Sequence, residues 1–129
     1  MRRTRTMTII DLTTALTTAF PKIPVFYNHI IVEDGDELNP PWIVTNHEDI
    51  NPFFADNKTY WLGTRNTVTQ YVAKLTETNL KRLDRFFDQN EIPFQKEINF
   101  DEMEMLYSIQ YTVQLDDLEV SDDGDDNGS

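Results

Sequence analysis

Side chains that could carry acid–base or metal chemistry are few in this chain. There are two histidines, His29 and His47, and no cysteine. Thiolate nucleophiles, thiolate metal sites and disulfide frameworks are therefore excluded. His47 is followed by Glu48 and Asp49, but adjacent side chains on a strand point to opposite faces, which does not suit a shared metal ion. We therefore predict no catalytic residues, no metal site and no cofactor.

Motifs for phosphate and calcium binding are missing or incomplete. The segment 34–37 (DGDE) resembles the start of a calcium loop, but the EF-hand spacing and the closing glutamate are absent. The four glycines are isolated, so there is no glycine-rich phosphate loop. The main basic group, Lys81, Arg82 and Arg85, belongs to a chain with a net charge of −12, which disfavours phosphate neutralisation. These observations predict that the protein is not an enzyme and reads no nucleic-acid sequence.

The negative charge is concentrated at the C-terminus. Seven of the 23 acidic residues lie in 116–126, with no basic residue among them. Such a segment buries too little apolar surface to fold, so we predict that 116–129 is a disordered acidic tail. Residues 1–7 carry three arginines and are predicted to be a basic N-terminal extension, with Met7 as an alternative start. Residues 8–115 are then predicted to form a single domain.

The composition also indicates the cellular location of the protein, and it is compatible with other functional classes. No apolar run approaches the roughly 20 residues of a membrane span, and the N-terminus lacks a signal-peptide core, so we expect a cytosolic protein without a membrane partner. The acidity suits an alternative class, a non-enzymatic binding module such as a DNA mimic. A mimic needs acids in regular rows on a rigid surface, whereas nearly a third of these lie in the tail. A small hydrolase is a further alternative.

Two helices are predicted from apolar residues that recur at helical spacing. The first follows a Thr8 cap and ends at Pro21; its apolar face comprises Ile9, Leu12, Leu16, Ala19 and Phe20. The second follows a Thr78 cap and ends at Asn90; its apolar face comprises Leu80, Leu83, Phe86 and Phe87. The three cations of the second helix, together with Asp84, are predicted to lie on its opposite side.

Five strands are predicted from β-branched, aromatic and alternating segments: 25–31, 42–45, 68–75, 94–100 and 103–115. The first two are expected to form a hairpin with an acidic tip, and the last two an antiparallel hairpin. In the final segment the odd positions from Met103 to Leu115 are apolar, which predicts one strand of roughly 43 Å. Segment 46–66 resists assignment.

These elements give an α+β fold in the order α-β-β-β-α-β-β. We predict a mostly antiparallel sheet of about five strands with two helices on one face. Tyr107, Ile109 and Tyr111 are expected to form the core beneath the second helix. The unusually long final strand favours an assembly protein over a compact enzyme.

Three groups of side chains are predicted to form an assembly surface. Acids of the hairpin tip would meet the cations of the second helix on a neighbouring subunit. Aromatics of segment 46–66 would fill pockets on a neighbour, or would simply pin that segment onto their own subunit. The residues are Asp34, Asp36, Glu37, Phe53, Phe54, Tyr60, Trp61, Lys81, Arg82 and Arg85.

Three segments, 67–75 (TVTQYVAKL), 92–97 (IPFQKE) and 104–111 (EMLYSIQY), together with a helix ending in Phe86 and Phe87, form a recognisable pattern. In this pattern the chain resembles, over about 8–115, small tail-completion proteins of long-tailed bacteriophages and prophages. The resemblance implies a tail terminator or head-to-tail joining protein that forms a hexameric ring. The implied partners are further copies of the chain, the tail-tube protein and the head connector. The implied location is the virion tail, after assembly in the host cytoplasm.

Overall fold

The computed structural model describes residues 7–32, 37–50 and 63–115. Its elements follow the predicted order, and the α+β fold class is confirmed. They are α1 (Ile9–Ala19), β1 (Val25–Tyr27), β2 (Trp42–Ile50), β3 (Gly63–Val72), α2 (Glu77–Gln89), β4 (Phe94–Asp101) and β5 (Leu106–Val113). Within the described ranges no helix is long and apolar enough to cross a membrane.

The five strands form one sheet in the order β1-β2-β3-β5-β4. The β2–β3, β3–β5 and β4–β5 pairs are antiparallel, and the last of these is the predicted terminal hairpin. The predicted hairpin of the first two strands is wrong, because β1 pairs with β2 in parallel from Val25↔Ile43 to Tyr27↔Thr45. The first strand ends early, since Asn28 adopts a positive φ of 72° and donates its N–H to Thr45.

Both helices cover the same face of the sheet and share one apolar core with it. Ile109 and Tyr111 are fully buried, as predicted, and Tyr107 packs against the same cluster. The rings of Phe87 and Tyr111 lie 5.1 Å apart, which brings α2 directly over β5. The buried apolar cluster comprises Ile9, Leu12, Leu16, Ile43, Val68, Val72, Leu83, Phe86, Phe87, Ile92, Ile109, Tyr111 and Val113.

Side-chain caps fix where each helix begins. Thr8 and Asp11 bond reciprocally to each other's backbone N–H, which completes a capping box at the predicted start of α1. The predicted Thr78 cap of α2 is wrong. Thr76 accepts the backbone N–H of Asn79 at 3.1 Å, so the helix begins one half-turn earlier and β3 ends before Ala73. Asn90 is the C-terminal cap of α2, as predicted.

The predicted long strand over 103–115 is also wrong. β5 begins at Leu106, and the side chains of Met103 and Met105 are 90% and 66% exposed. The carboxylate of Asp101 accepts the backbone N–H groups of Met103 and Glu104, which folds 102–105 into a turn. Aspartate side chains that bond to nearby backbone N–H groups compete in this way with the hydrogen bonds between strands. Here the turn prevails over the strand that the alternation of apolar residues predicts.

The longest paired strands are β2 and β3 instead. Their register runs without a break from Trp42↔Tyr71 to Ile50↔Gly63, so the unassigned segment 46–66 contributes strand at both of its ends. β5 pairs with β3 only from Asn66 onward. The three outermost β2–β3 pairs, from Glu48↔Arg65 to Ile50↔Gly63, therefore project beyond the rest of the sheet. We call these pairs the hairpin arm.

Candidate assembly site

The described part of the chain contains four of the ten predicted assembly residues. These are Glu37, Lys81, Arg82 and Arg85. Glu37 is exposed and precedes β2, while the three cations lie on α2. The other six lie outside the described residues: Asp34, Asp36, Phe53, Phe54, Tyr60 and Trp61. Of the predicted N-terminal extension 1–7, the structure describes only Met7, and the predicted tail 116–129 lies outside the described residues.

Lys81 and Arg82 differ in their surroundings although they are neighbours in sequence. Lys81 is exposed and forms a 3.1 Å ion pair with Glu77, one turn earlier on α2. Such exposed pairs contribute only a few tenths of a kcal/mol, about 0.3 to 0.5. Arg82 is half-buried, contrary to its predicted place on the solvent side.

Arg82 is held by a polar network beneath α2. Its guanidinium donates to the Oε1 of Gln70 and, at 2.9 Å, to the Oδ1 of Asn79. Gln70 is fully buried and donates in turn to the backbone oxygen of Asn79 at 3.0 Å. Burial lowers the pKa of Arg82 from its usual range. The network fixes one face of the guanidinium and anchors the start of α2 to the centre of β3.

An arginine-lined groove lies between the end of α1 and the exposed side of α2. It has a volume of about 350 Å³, and Arg82 and Arg85 form part of its wall. Phe20 and Phe86, whose rings are 5.9 Å apart, also line it. A groove lined by arginines and aromatic rings suits an acidic segment that also carries an apolar side chain. Its other lining residues are Ala19, Thr78 and Gln89.

Asp84, predicted to face solvent, is half-buried and links α2 to both of the last strands. Its Oδ1 accepts the hydroxyl of Tyr111 at 2.7 Å, and its Oδ2 accepts Lys96 Nζ at 3.1 Å. Burial, and then the hydrogen bond to Asp84, raise the pKa of Tyr111. Lys96 also donates to the backbone oxygen of Leu80 at 2.9 Å. This network is structural, because its groups satisfy one another.

The histidines take separate positions. His47 lies on the helix-covered face of β2, and its Nδ1 is 2.6 Å from the Oδ1 of Asn66. Glu48, the next residue, lies on the opposite face and is 3.9 Å from Arg65, so the predicted divergence of these side chains is confirmed. His29 is exposed after β1. Among the residues that the structure describes, no three His, Asp or Glu side chains are grouped to hold a metal ion.

The face of the sheet opposite the helices is polar. A shallow groove of about 520 Å³ crosses it, bounded by the segment that follows β1. Trp42 and Tyr71 stack at one side of this face with ring centroids 5.3 Å apart. The indole Nε1 of Trp42 is buried without a hydrogen-bond partner among the described residues. The strand side chains lining the groove are Val44, Asn46, Glu48, Arg65, Thr67, Thr69, Tyr71 and Gln110.

The edge formed by β4 is a feature that the sequence did not reveal. In the described part of the chain β4 pairs with β5 alone. After Phe94 the side chains of β4 other than Lys96 are exposed, including Ile98 and Phe100. The alternation of Phe94, Ile98 and Phe100 predicted a strand here, but α2 lies over β5 and leaves Ile98 and Phe100 partly uncovered. Strand order decides which strand lies at the edge of the sheet, and local periodicity does not reveal strand order.

No protein-family model matches this chain, no curated protein matches it, and no solved structure matches it.

Proposed function

We propose that this chain is a structural tail-completion subunit of a bacteriophage or prophage, either a tail terminator or a head-to-tail joining protein. It assembles as a ring, with six copies expected, between the tail tube and the head connector. The resemblance in the segments 67–75, 92–97 and 104–111 supports this function. Two surfaces of the described residues, the hairpin arm and the arginine-lined groove, support a role in assembly with other proteins.

The observation that carries the proposal is the hairpin arm. Its pairs extend past the last β3–β5 pair at Asn66↔Val113, and its exposed Glu48 and Arg65 are separated by a weak 3.9 Å contact. An element that projects from the sheet is suited to reach a neighbour, as ring-forming proteins commonly do.

The arginine-lined groove supplies a complementary surface. Arg82 and Arg85 line it, and the neighbouring subunit offers acids around Glu37, which is exposed before β2. A head-to-tail contact between these two different surfaces is heterologous, and such a contact closes into a ring when its rotation permits. Exposed charge pairs of this kind set orientation and association rate more than affinity.

Electron microscopy and native mass spectrometry test the proposal directly. The purified chain is examined alone and mixed with tail tubes of the same phage or prophage that lack their completion protein. We expect closed rings, formed either free or at one end of the tube. A chain that forms no ring and binds no tube end under either condition would exclude the function.

Matched charge reversals then locate the contact. Arg85→Glu places a negative charge in the arginine-lined groove, whereas Lys81→Glu makes the same change of charge beside Glu77, outside it. We expect Arg85→Glu to reduce ring formation and Lys81→Glu to leave it nearly unchanged, with similar thermal midpoints for both. Equal effects of the two variants would show that total charge, and not the groove, governs assembly.

A further inference from the structure

We propose that the free edge of β4 pairs with β4 of a second copy of this chain about a two-fold axis through Ile98. This contact would join two five-stranded sheets into one. It does not rest on the proposed function, because it uses neither the hairpin arm nor the arginine-lined groove. The partner is a second copy because β4 is complementary to itself in a single register.

The two edges of the sheet differ in protection. β1 is three residues long, and Asn28 turns the chain away immediately after it. Short edge strands and turns of this kind prevent pairing with other molecules. β4 is eight residues long, contains no proline, and has exposed apolar side chains at Ile98 and Phe100, 42% and 44% respectively. An edge of this length and character is suited to strand addition.

The backbone of β4 has hydrogen-bonding groups directed to this free edge. The N–H of Gln114 donates to the carbonyl of Pro93 at 3.0 Å, which marks their pair as hydrogen-bonded. Hydrogen-bonded and non-hydrogen-bonded pairs alternate along an antiparallel ladder. The N–H and C=O groups of Lys96, Ile98 and Phe100 therefore point away from β5, toward a further strand.

Symmetry restricts how β4 can pair with itself. In a two-fold antiparallel pair each face meets the same face, so the axis must pass through a residue of β4 and its copy. With the axis at Lys96, only the residues from Phe94 to Ile98 of each copy would pair. With the axis at Glu97, two carboxylates would be opposed, and with the axis at Asn99, Glu97 would face Asp101. Like charges directly opposite each other destabilise a sheet. Axes nearer either end pair fewer residues.

The register with its axis at Ile98 avoids every one of these repulsions. Its apolar centre places Ile98 against Ile98 of the second copy. Lys96, whose ammonium stays bound to Asp84 and to the Leu80 carbonyl of its own chain, lies opposite Phe100, and the carboxylates face amides that can donate to them. The opposed pairs are Ile98 with Ile98, Glu97 with Asn99, Lys96 with Phe100 and Gln95 with Asp101. Both helical layers would lie on the same side of the joined sheet.

A single-cysteine cross-link tests the register. The chain has no cysteine of its own, so Ile98→Cys introduces one thiol per copy. In the proposed pair the two Cα atoms at position 98 are about 5.5 Å apart, within the range that a disulfide spans. Phe100→Cys is the control, because position 100 has a nearly equal exposure but lies roughly 13 Å from its copy, four residues along the strand.

Under oxidised glutathione we expect Ile98→Cys to become a covalent dimer at protein concentrations where Phe100→Cys stays mostly monomeric. Equal cross-linking of the two variants, or preferential cross-linking of Phe100→Cys, would overturn the register. A wild-type chain that sediments as a monomer up to about 1 mM would overturn the pairing altogether. That result would leave the edge for a different occupant, such as an extended segment of another protein.

Opposite charge changes at Asn99 give a second, signed test. Asn99→Lys would face Glu97 of the second copy and strengthen the dimer, whereas Asn99→Glu would oppose two carboxylates and weaken it. Because the symmetry repeats each pair, we expect the dimer dissociation constants to move about two- to thirtyfold in opposite directions. Asn46→Lys and Asn46→Glu change the same charges on the same face, at an exposed position of β2 away from the edge. Shifts of equal size at both positions would overturn the proposal.

Discussion

The hydroxyl of Tyr111 donates a 2.7 Å hydrogen bond to Asp84 and so joins the middle of β5 to the middle of α2. The ring of Tyr111 is fully buried against Phe87, and Lys96 completes the charge balance around the carboxylate. This pair holds a polar bridge inside an otherwise apolar contact between helix and sheet. Its protonation state therefore bears on stability.

Tyr111→Phe is expected to change how stability depends on alkaline pH. The pKa of Tyr111 is raised in the native state, whereas an unfolded tyrosine ionises near pH 10. Its contribution is therefore complete below about pH 10 and is lost as the pH rises above that value. The variant should lose about 1 to 3 kcal/mol at neutral pH and then show a shallower alkaline decline than the wild type.

Urea unfolding at several pH values between 7 and 11 measures this difference. Tyr27→Phe removes a hydroxyl from an exposed tyrosine and controls for the loss of a phenol at the surface. Parallel alkaline declines for the wild type and Tyr111→Phe would contradict the argument.

Ile109→Ala is expected to cost about 2 to 5 kcal/mol of unfolding free energy. Ile109 is fully buried at the centre of β5, and truncation there leaves a cavity beneath α2. Ile98→Ala removes the same atoms from an exposed position and should cost far less in dilute protein. The two free energies of unfolding are compared by urea titration, and a loss below about 0.5 kcal/mol for Ile109→Ala would refute the placement of the core.

Truncation after Asp117 should leave the thermal midpoint within a few degrees of the full-length value. The acids that follow are not accompanied by an apolar pattern, so the segment has little to contribute to a packed core. Calorimetry of the two chains provides the comparison. A large fall in the midpoint would mean that the segment stabilises the domain.

The double change Phe53→Ser with Phe54→Ser separates two roles for the aromatic segment that joins β2 to β3. If these side chains bind a neighbouring subunit, ring formation falls while the melting temperature of the monomer is unchanged, because aromatic anchors dominate interfaces. Particle incorporation and thermal unfolding are measured on the same preparation. A lower melting temperature with assembly retained would assign both residues to the packing of their own subunit.

The sequence was sufficient where a pattern is local. Helical spacing identified the core faces of both helices except for Ala19, which is exposed, and alternation identified Ile109 and Tyr111 as buried. It failed where bonding between distant or competing groups decides the outcome. The carboxylate of Asp101 breaks the apolar alternation at Met103, and the parallel pairing of Val25 with Ile43 depends on a crossover that no short window contains.

Site prediction had the same limit. Lys81 and Arg82 look equivalent in sequence, yet one lies in solvent beside Glu77 and the other lies against buried Gln70. The edge position of β4 follows from the order of all five strands, so the exposure of Ile98 was not accessible to periodicity. Pairing between strands that are distant in sequence therefore decides which side chains are exposed, and local sequence patterns do not predict that pairing.

The parallel pairing of β1 has a consequence for the order of folding. β2–β3 and β4–β5 are antiparallel pairs of strands consecutive in the chain, whereas β1 joins β2 through the crossover 28–41. Contacts that close shorter loops form first, so we expect the β4–β5 hairpin, which is closed by the turn 102–105, to form before β1 docks across the longer crossover. Ile43 and Thr45 would then remain in contact with water until α1 and β1 arrive together. Pulsed hydrogen exchange should accordingly show late protection of the Asn28 amide, which bonds to Thr45, after protection has developed across the β4–β5 hairpin.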